Sequence, residues 1–72
     1  MFNSSLTISS LKEVIDKMCP IRIYLDGKTV WDDDESTLDE YNKLFEREDI
    51  VHHINFSIVY FHHSIIWIYT KV

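Results

Sequence analysis

Apolar positions recur along this chain with two different periods. Between Thr7 and Pro20 they fall at Leu11, Val14, Ile15 and Met18, the i, i+3, i+4, i+7 spacing of a helix with one buried stripe. Thr7 is the favoured N-cap, with Leu6 and Leu11 as a hydrophobic staple. Ser10 with Glu13 forms the competing capping box. Pro20 lacks an amide hydrogen and restricts the residue before it, so the helix ends near Met18 or Cys19.

From Ile21 the period drops to two. Two short β-prone runs flank Asp26-Gly27, a strong signal for a two-residue hairpin turn. That turn pairs Leu25 with Lys28, Ile23 with Val30 and Arg22 with Trp31. Ile21, Ile23, Leu25 and Val30 then face the core, while Arg22, Tyr24 and Trp31 share the other face, with Arg22 and Trp31 placed for a cation–π contact. Helical spacing returns at Leu38, Tyr41, Leu44 and Phe45, with Ser36 or Thr37 as the cap, and Thr37 with Glu40 fits a capping box at its start. The last stretch, VHHINFSIVYFHHSIIWIYTKV, alternates again and reads as a second, longer hairpin. Ile54, Phe56, Ile58 and Tyr60 take the core side, with partners among Ile66, Ile68, Thr70 and Val72 across a loop at residues 62–64. Trp67 and Tyr69 are then left on the open face beside Ser57 and Val59. A four-residue loop would swap the faces and put Trp67 in the core.

The pattern predicts one α+β domain over residues 1–72: helix, hairpin, short helix, hairpin. An antiparallel sheet of about four strands carries the first helix on one face. A chain of 72 residues has a small core, and the hydrophobic fraction of 46%, with two Trp, four Tyr and four Phe, offsets that with bulk. One cysteine forms no internal disulfide, which makes the cytosol the default compartment, and Cys19 at the end of the apolar stripe reads as a small core thiol. The opening MFNSSLTISS has neither the basic nor the apolar region of a secretory signal.

Net charge is −5, which argues against direct nucleic-acid or anionic-lipid binding. Residues 32–49 hold nine acidic and two basic residues, a local −7 that leaves the rest at +2. Dipole and capping effects account for the carboxylates in the second helix's first turn. They leave Asp32, Asp33, Glu46, Glu48 and Asp49 without a structural task. The acidic candidate surface is therefore Asp32, Asp33, Asp34, Glu35, Glu46, Glu48 and Asp49. The candidate sheet face is Val59, Trp67 and Tyr69.

Other chemistry is disfavoured. Adjacent histidines on a strand point to opposite faces, and the pair His52 and His53 lies about 30 Å from His62 and His63 along the hairpin, so no metal site is expected. The contiguous acids of DDDE lack the alternate spacing and glycine of a calcium loop. Residues 50–69 are long enough to span a membrane, but four His, one Asn and two Ser oppose it. No phosphate-binding loop or catalytic constellation is present, and neither an enzyme nor a cofactor is expected.

Thr7, Leu11, Ile21, Arg22, Ile23, Tyr24, Gly27 and Lys28 carry a resemblance. The helix start and first hairpin that they mark resemble those of short hypothetical proteins encoded by phages and mobile elements of Firmicutes. FHHS stands where that group has an acidic-glycine turn. The resemblance implies a mobile-element origin but transfers no activity and no site residues. The expected function is a non-catalytic module that binds a protein with a basic surface, in the manner of a mobile-element inhibitor of a host nucleic-acid-binding or defence protein. The alternative is a small structural or regulatory protein that self-associates as a homodimer through its aromatic sheet face.

Overall fold

A computed structural model describes residues 6–61 and 63–71. A 3₁₀ turn, Ser9–Leu11, runs into α1, Lys12–Lys17. The strands are β1, Pro20–Leu25; β2, Lys28–Asp32; β3, His53–Tyr60; and β4, His63–Tyr69. The second helix, α2, is Leu38–Leu44. The class is α+β, and the element order is the one that the periodicity predicts.

The sheet is mixed rather than antiparallel throughout. Its strand order is β2-β1-β4-β3, and the central pair, β1 with β4, runs parallel. Each hairpin contributes one central and one edge strand. Residues 33–52, including α2, carry the chain from the β2 edge to the β3 edge. The same crossover is stitched to the N-terminal segment. Thr7 bridges Ile50, the Ile8 N–H donates to the Asp49 carbonyl at 3.1 Å, and the Val51 N–H donates to the Leu6 carbonyl at 2.7 Å.

One face of the sheet holds the core: Ile8, Leu11, Ile15, Ile23, Leu25, Trp31, Tyr41, Leu44, Phe45, Ile66 and Ile68. The helical stripe begins at Ile8 and omits Val14, which is exposed. A 3₁₀ start, with three residues per turn, aligns Ile8 over Leu11 before the α-helical Ile15 and the half-buried Met18. Thr7 Oγ1 accepts the Ser10 N–H at 3.2 Å, but the residue that caps the 3₁₀ turn is Ile8, one place later than expected, and it has no side-chain cap. Cys19 ends the helix in the left-handed region with φ 48° and is exposed, which corrects its reading as a core thiol. A left-handed residue after a helix turns the chain sharply and aims its side chain away from the stripe.

The first hairpin turns at Asp26 and Gly27, with φ of 50° and 86°, the left-handed pair that a type I′ turn demands. Leu25 pairs with Lys28 as expected. A bulge then leaves Val30 unpaired and sets Ile23 opposite Trp31 and Arg22 opposite Asp32. The extra residue moves Trp31 from the open face into the core. Trp31 there donates its indole N–H to the Thr37 carbonyl at 3.1 Å and meets the Tyr41 ring edge-on at 5.0 Å. The expected Arg22 contact with Trp31 is replaced by an ion pair with Asp32 at 3.0 Å. The Thr37 and Glu40 capping box forms at the start of α2, although Leu38 of the expected stripe is exposed.

In the second hairpin Ile54 lies opposite Ile68 and Phe56 opposite Ile66. Ile66 and Ile68 are fully buried, and Trp67 and Tyr69 lie on the other face, as the preferred reading requires. The turn is tighter than expected, because Tyr60 pairs with His63. This slides the register by four residues, so Asn55 rather than Val59 sits opposite Trp67. His62 and Val72 lie outside the described residues. A second bulge, at Val59, shifts Tyr60 onto the open face beside His63.

Candidate functional site

The structure separates the carboxylates by task. Asp32 is half-buried: one oxygen takes Arg22, the other accepts the Asp34 N–H at 2.9 Å, and its carbonyl accepts the Glu35 and Ser36 N–H groups. Asp49 holds Arg47 through two contacts of 2.8 and 3.1 Å. That pairing keeps the Asp49 carboxyl below its usual range. Glu48 accepts the Ser9 hydroxyl at 3.0 Å. These three therefore organise the loops around α2, contrary to the expectation that they are idle. Asp33, Asp34, Glu35 and Glu46 are exposed and make no ion pair among the described residues. The acidic set falls at the two ends of α2. Residues 32–35 precede α2 and residues 46–49 follow it, about 10 Å apart along a helix of this length.

The open sheet face is aromatic and mostly satisfied. Tyr24 and Trp67 stack with ring centroids 5.8 Å apart and planes within 5°. Arg22 bonds the Tyr24 hydroxyl at 3.3 Å, and Tyr69 packs on His53. Trp67 and Tyr69 are half-buried. Val59 stands about 13 Å away toward the turn, since four strand residues separate it from Asn55 opposite Trp67. The proposed trio is therefore not one cluster.

The exposed apolar surface lies elsewhere, on β3 and the turn after it. Phe56, Ile58, Val59, Tyr60 and Phe61 are all exposed, Phe61 at 84%. Phe56 and Ile58 do point to the core side of the sheet, as predicted, but among the described residues no helix covers them. The helices α1 and α2 have six and seven residues and lie over β1, β2 and β4. Phe56 and Ile58 instead line an open groove of about 330 Å³ with Lys17, Met18 and Ser64. Phe61 has φ 51°. A bulky aromatic in the left-handed region at a turn is disfavoured by roughly 1–2 kcal/mol relative to glycine. Alternation places these residues on a strand but does not reveal how far the helices reach, so the exposure of Phe56 and Ile58 is not legible from the sequence.

A second cleft lies between α1 and α2, lined by Asp16, Pro20, Trp31, Asp33, Leu38 and Tyr41. The Tyr41 hydroxyl donates to Asp16, and Lys12 pairs with Asp16 at 2.9 Å while sitting 5.7 Å over the Tyr41 ring. The Tyr41 bond and then Lys12 lower the Asp16 carboxyl. Burial and then the Asp16 bond raise the Tyr41 phenol. This polar group is internally paired.

Among the described residues, no group of three or more His, Cys, Asp or Glu side chains converges on a metal position. His53 opens β3 and His63 opens β4, about 20 Å apart along the hairpin. No helix among the described residues is long and apolar enough to cross a membrane. No protein-family model, curated protein or solved structure matches the chain.

Proposed function

We propose that this chain is a non-catalytic protein-binding module whose contact element is the hairpin formed by β3 and β4. The observation that carries this reading is the run of exposed apolar residues from Phe56 to Phe61, ending in an aromatic held at a left-handed turn position. Such a run is unfavourable in an isolated domain and marks an interaction surface. The test is affinity capture with the wild-type chain and with Phe61→Ser from an extract of the organism that encodes it. Proteins retained by the first and lost by the second, then confirmed with purified components, support the reading. An identical captured set with both chains would count against the hairpin.

A second reading uses the acidic face, and the favouring observation is that Asp33, Asp34 and Glu35 form no ion pair among the described residues. On this reading the carboxylates steer the module onto a basic surface, such as that of a host nucleic-acid-binding or defence protein. Replacing Asp33, Asp34 and Glu35 by Asn, Asn and Gln should then slow association and flatten its salt dependence. Asp32 is left intact because it holds the β2 end in place.

A further inference from the structure

We propose that the occupant of the exposed hairpin is a second copy of this chain, joined through the outer edges of two β3 strands into one continuous sheet. This rests on the hairpin being the contact element. The two edges of the sheet are built differently. Edge strand β2 is short, bulged at Val30, and carries Lys28 and Asp32. These are the usual devices that stop an edge from pairing. Edge strand β3 has eight residues and contains no charge and no proline. Its only bulge lies near its end, at Val59. The straight stretch is residues 54–58, and among the described residues no strand pairs with its outer edge, where the Phe56 N–H donates to the Asn55 side chain at 3.0 Å and is released on pairing.

That stretch is self-complementary under a two-fold axis perpendicular to the sheet. An antiparallel pairing of two β3 strands keeps side chains of one parity on one face. With the axis at Phe56, each Ile54 lies opposite the other copy's Ile58, Phe56 lies opposite its own counterpart, and Asn55 lies opposite Ser57. Apolar thus meets apolar on the helix-bearing face, and amide meets hydroxyl on the other. No formal charge occurs between Asp49 and Lys71, so the paired strands themselves bring no like charges together, although each copy carries −5 and Lys17 lines the groove beside Phe56 and Ile58. A basic partner would find no carboxylate here to pair with. The exposed side chains of Phe56 and Ile58 lie at the paired stretch, and those of Val59, Tyr60 and Phe61 flank it.

The experiment is sedimentation equilibrium of the full chain from micromolar to millimolar concentration, on wild type, Phe56→Lys, Phe56→Glu and their equimolar mixture. Phe56 is exposed, so either charge leaves the fold intact, which circular dichroism checks. Wild type should dimerise. Each variant alone places like charges opposite each other at the axis and should lose at least tenfold in association constant. The mixture should recover dimer, as Lys-bearing and Glu-bearing copies pair. A wild-type chain that stays monomeric at millimolar concentration overturns the proposal. So does a dimer that both variants retain unchanged, or a mixture that stays monomeric. A monomeric wild type whose captured proteins are lost with Phe61→Ser sinks the second copy alone. A monomeric wild type whose captured proteins are not lost sinks the hairpin reading as well.

Discussion

Asp26 shows how a single side chain closes this molecule. It sits in the first turn, yet its carboxylate accepts both the N–H and the hydroxyl of Thr70, at 2.8 and 2.6 Å. The Thr70 contacts lower its carboxyl, as Tyr41 and Lys12 lower Asp16 and Arg47 lowers Asp49. A folded-state pKa below the unfolded value means that the unfolded chain binds protons first as pH falls. The stabilisation is thus present above the unfolded value, about 3.9, and is lost as pH falls through the lowered folded value. The urea midpoint should be flat from about pH 7 to 5 and drop between about pH 4 and 2. Asp26→Asn should be less stable at pH 7 and show a shallower drop. An unchanged slope would remove Asp26 from the linkage. Cys19 makes the opposite case, a side chain that its backbone does not want. It is exposed with φ 48°, so Cys19→Gly should raise stability by about 0.5–1 kcal/mol in urea titrations. Its position before Pro20 was readable in the sequence. Its left-handed conformation was not, because that depends on where β1 must start.

At the scale of elements, legibility followed the range of the interactions. The Asp26-Gly27 turn and the Thr37 and Glu40 capping box were readable because every atom involved lies within four residues. The bulge at Val30 was not, because Trp31 is drawn inward by Tyr41 and the Thr37 carbonyl, partners whose positions no alternation rule supplies. Likewise the inner side of Ile66 and Ile68 was legible from parity, whereas the four-residue slide of the second hairpin depends on how tightly its turn closes. The turn assignment can be checked directly. Nothing lies within 4 Å of a Cβ added at Gly27, so a substitution there meets a conformational penalty rather than a clash. Gly27→Val should lose about 1–2 kcal/mol of stability, and Gly27→Asn clearly less, because Asn tolerates the left-handed region. Equal losses for the two would indicate that the φ of 86° is not what the site selects for.

Across the whole molecule, period-two patterns say which face a residue takes but not which strands are neighbours. The parallel contact of β1 with β4 therefore emerges only once the crossover of residues 33–52 and its bonds to the N-terminal segment are known. That topology leaves β3 on the rim and makes the molecule long, 41 × 23 × 22 Å. The buried side chains lie over β1, β2 and β4, and β3 keeps only Ile54 partly covered. Local stability should therefore be graded, since amides open most easily where few apolar contacts hold the backbone. In a dilute sample, the amides of Ile23, Ile66 and Ile68 should exchange only on global unfolding, while Val59, Tyr60 and Phe61 exchange with little protection. A two-fold contact along β3 adds a concentration term to this gradient. Raising the concentration should slow exchange at residues 54–58 and leave Ile23, Ile66 and Ile68 unchanged, as followed by hydrogen exchange in two-dimensional NMR spectra. Strong protection of residues 59–61 in the dilute sample would contradict the graded picture, because no described contact of that turn with the core is available to supply it.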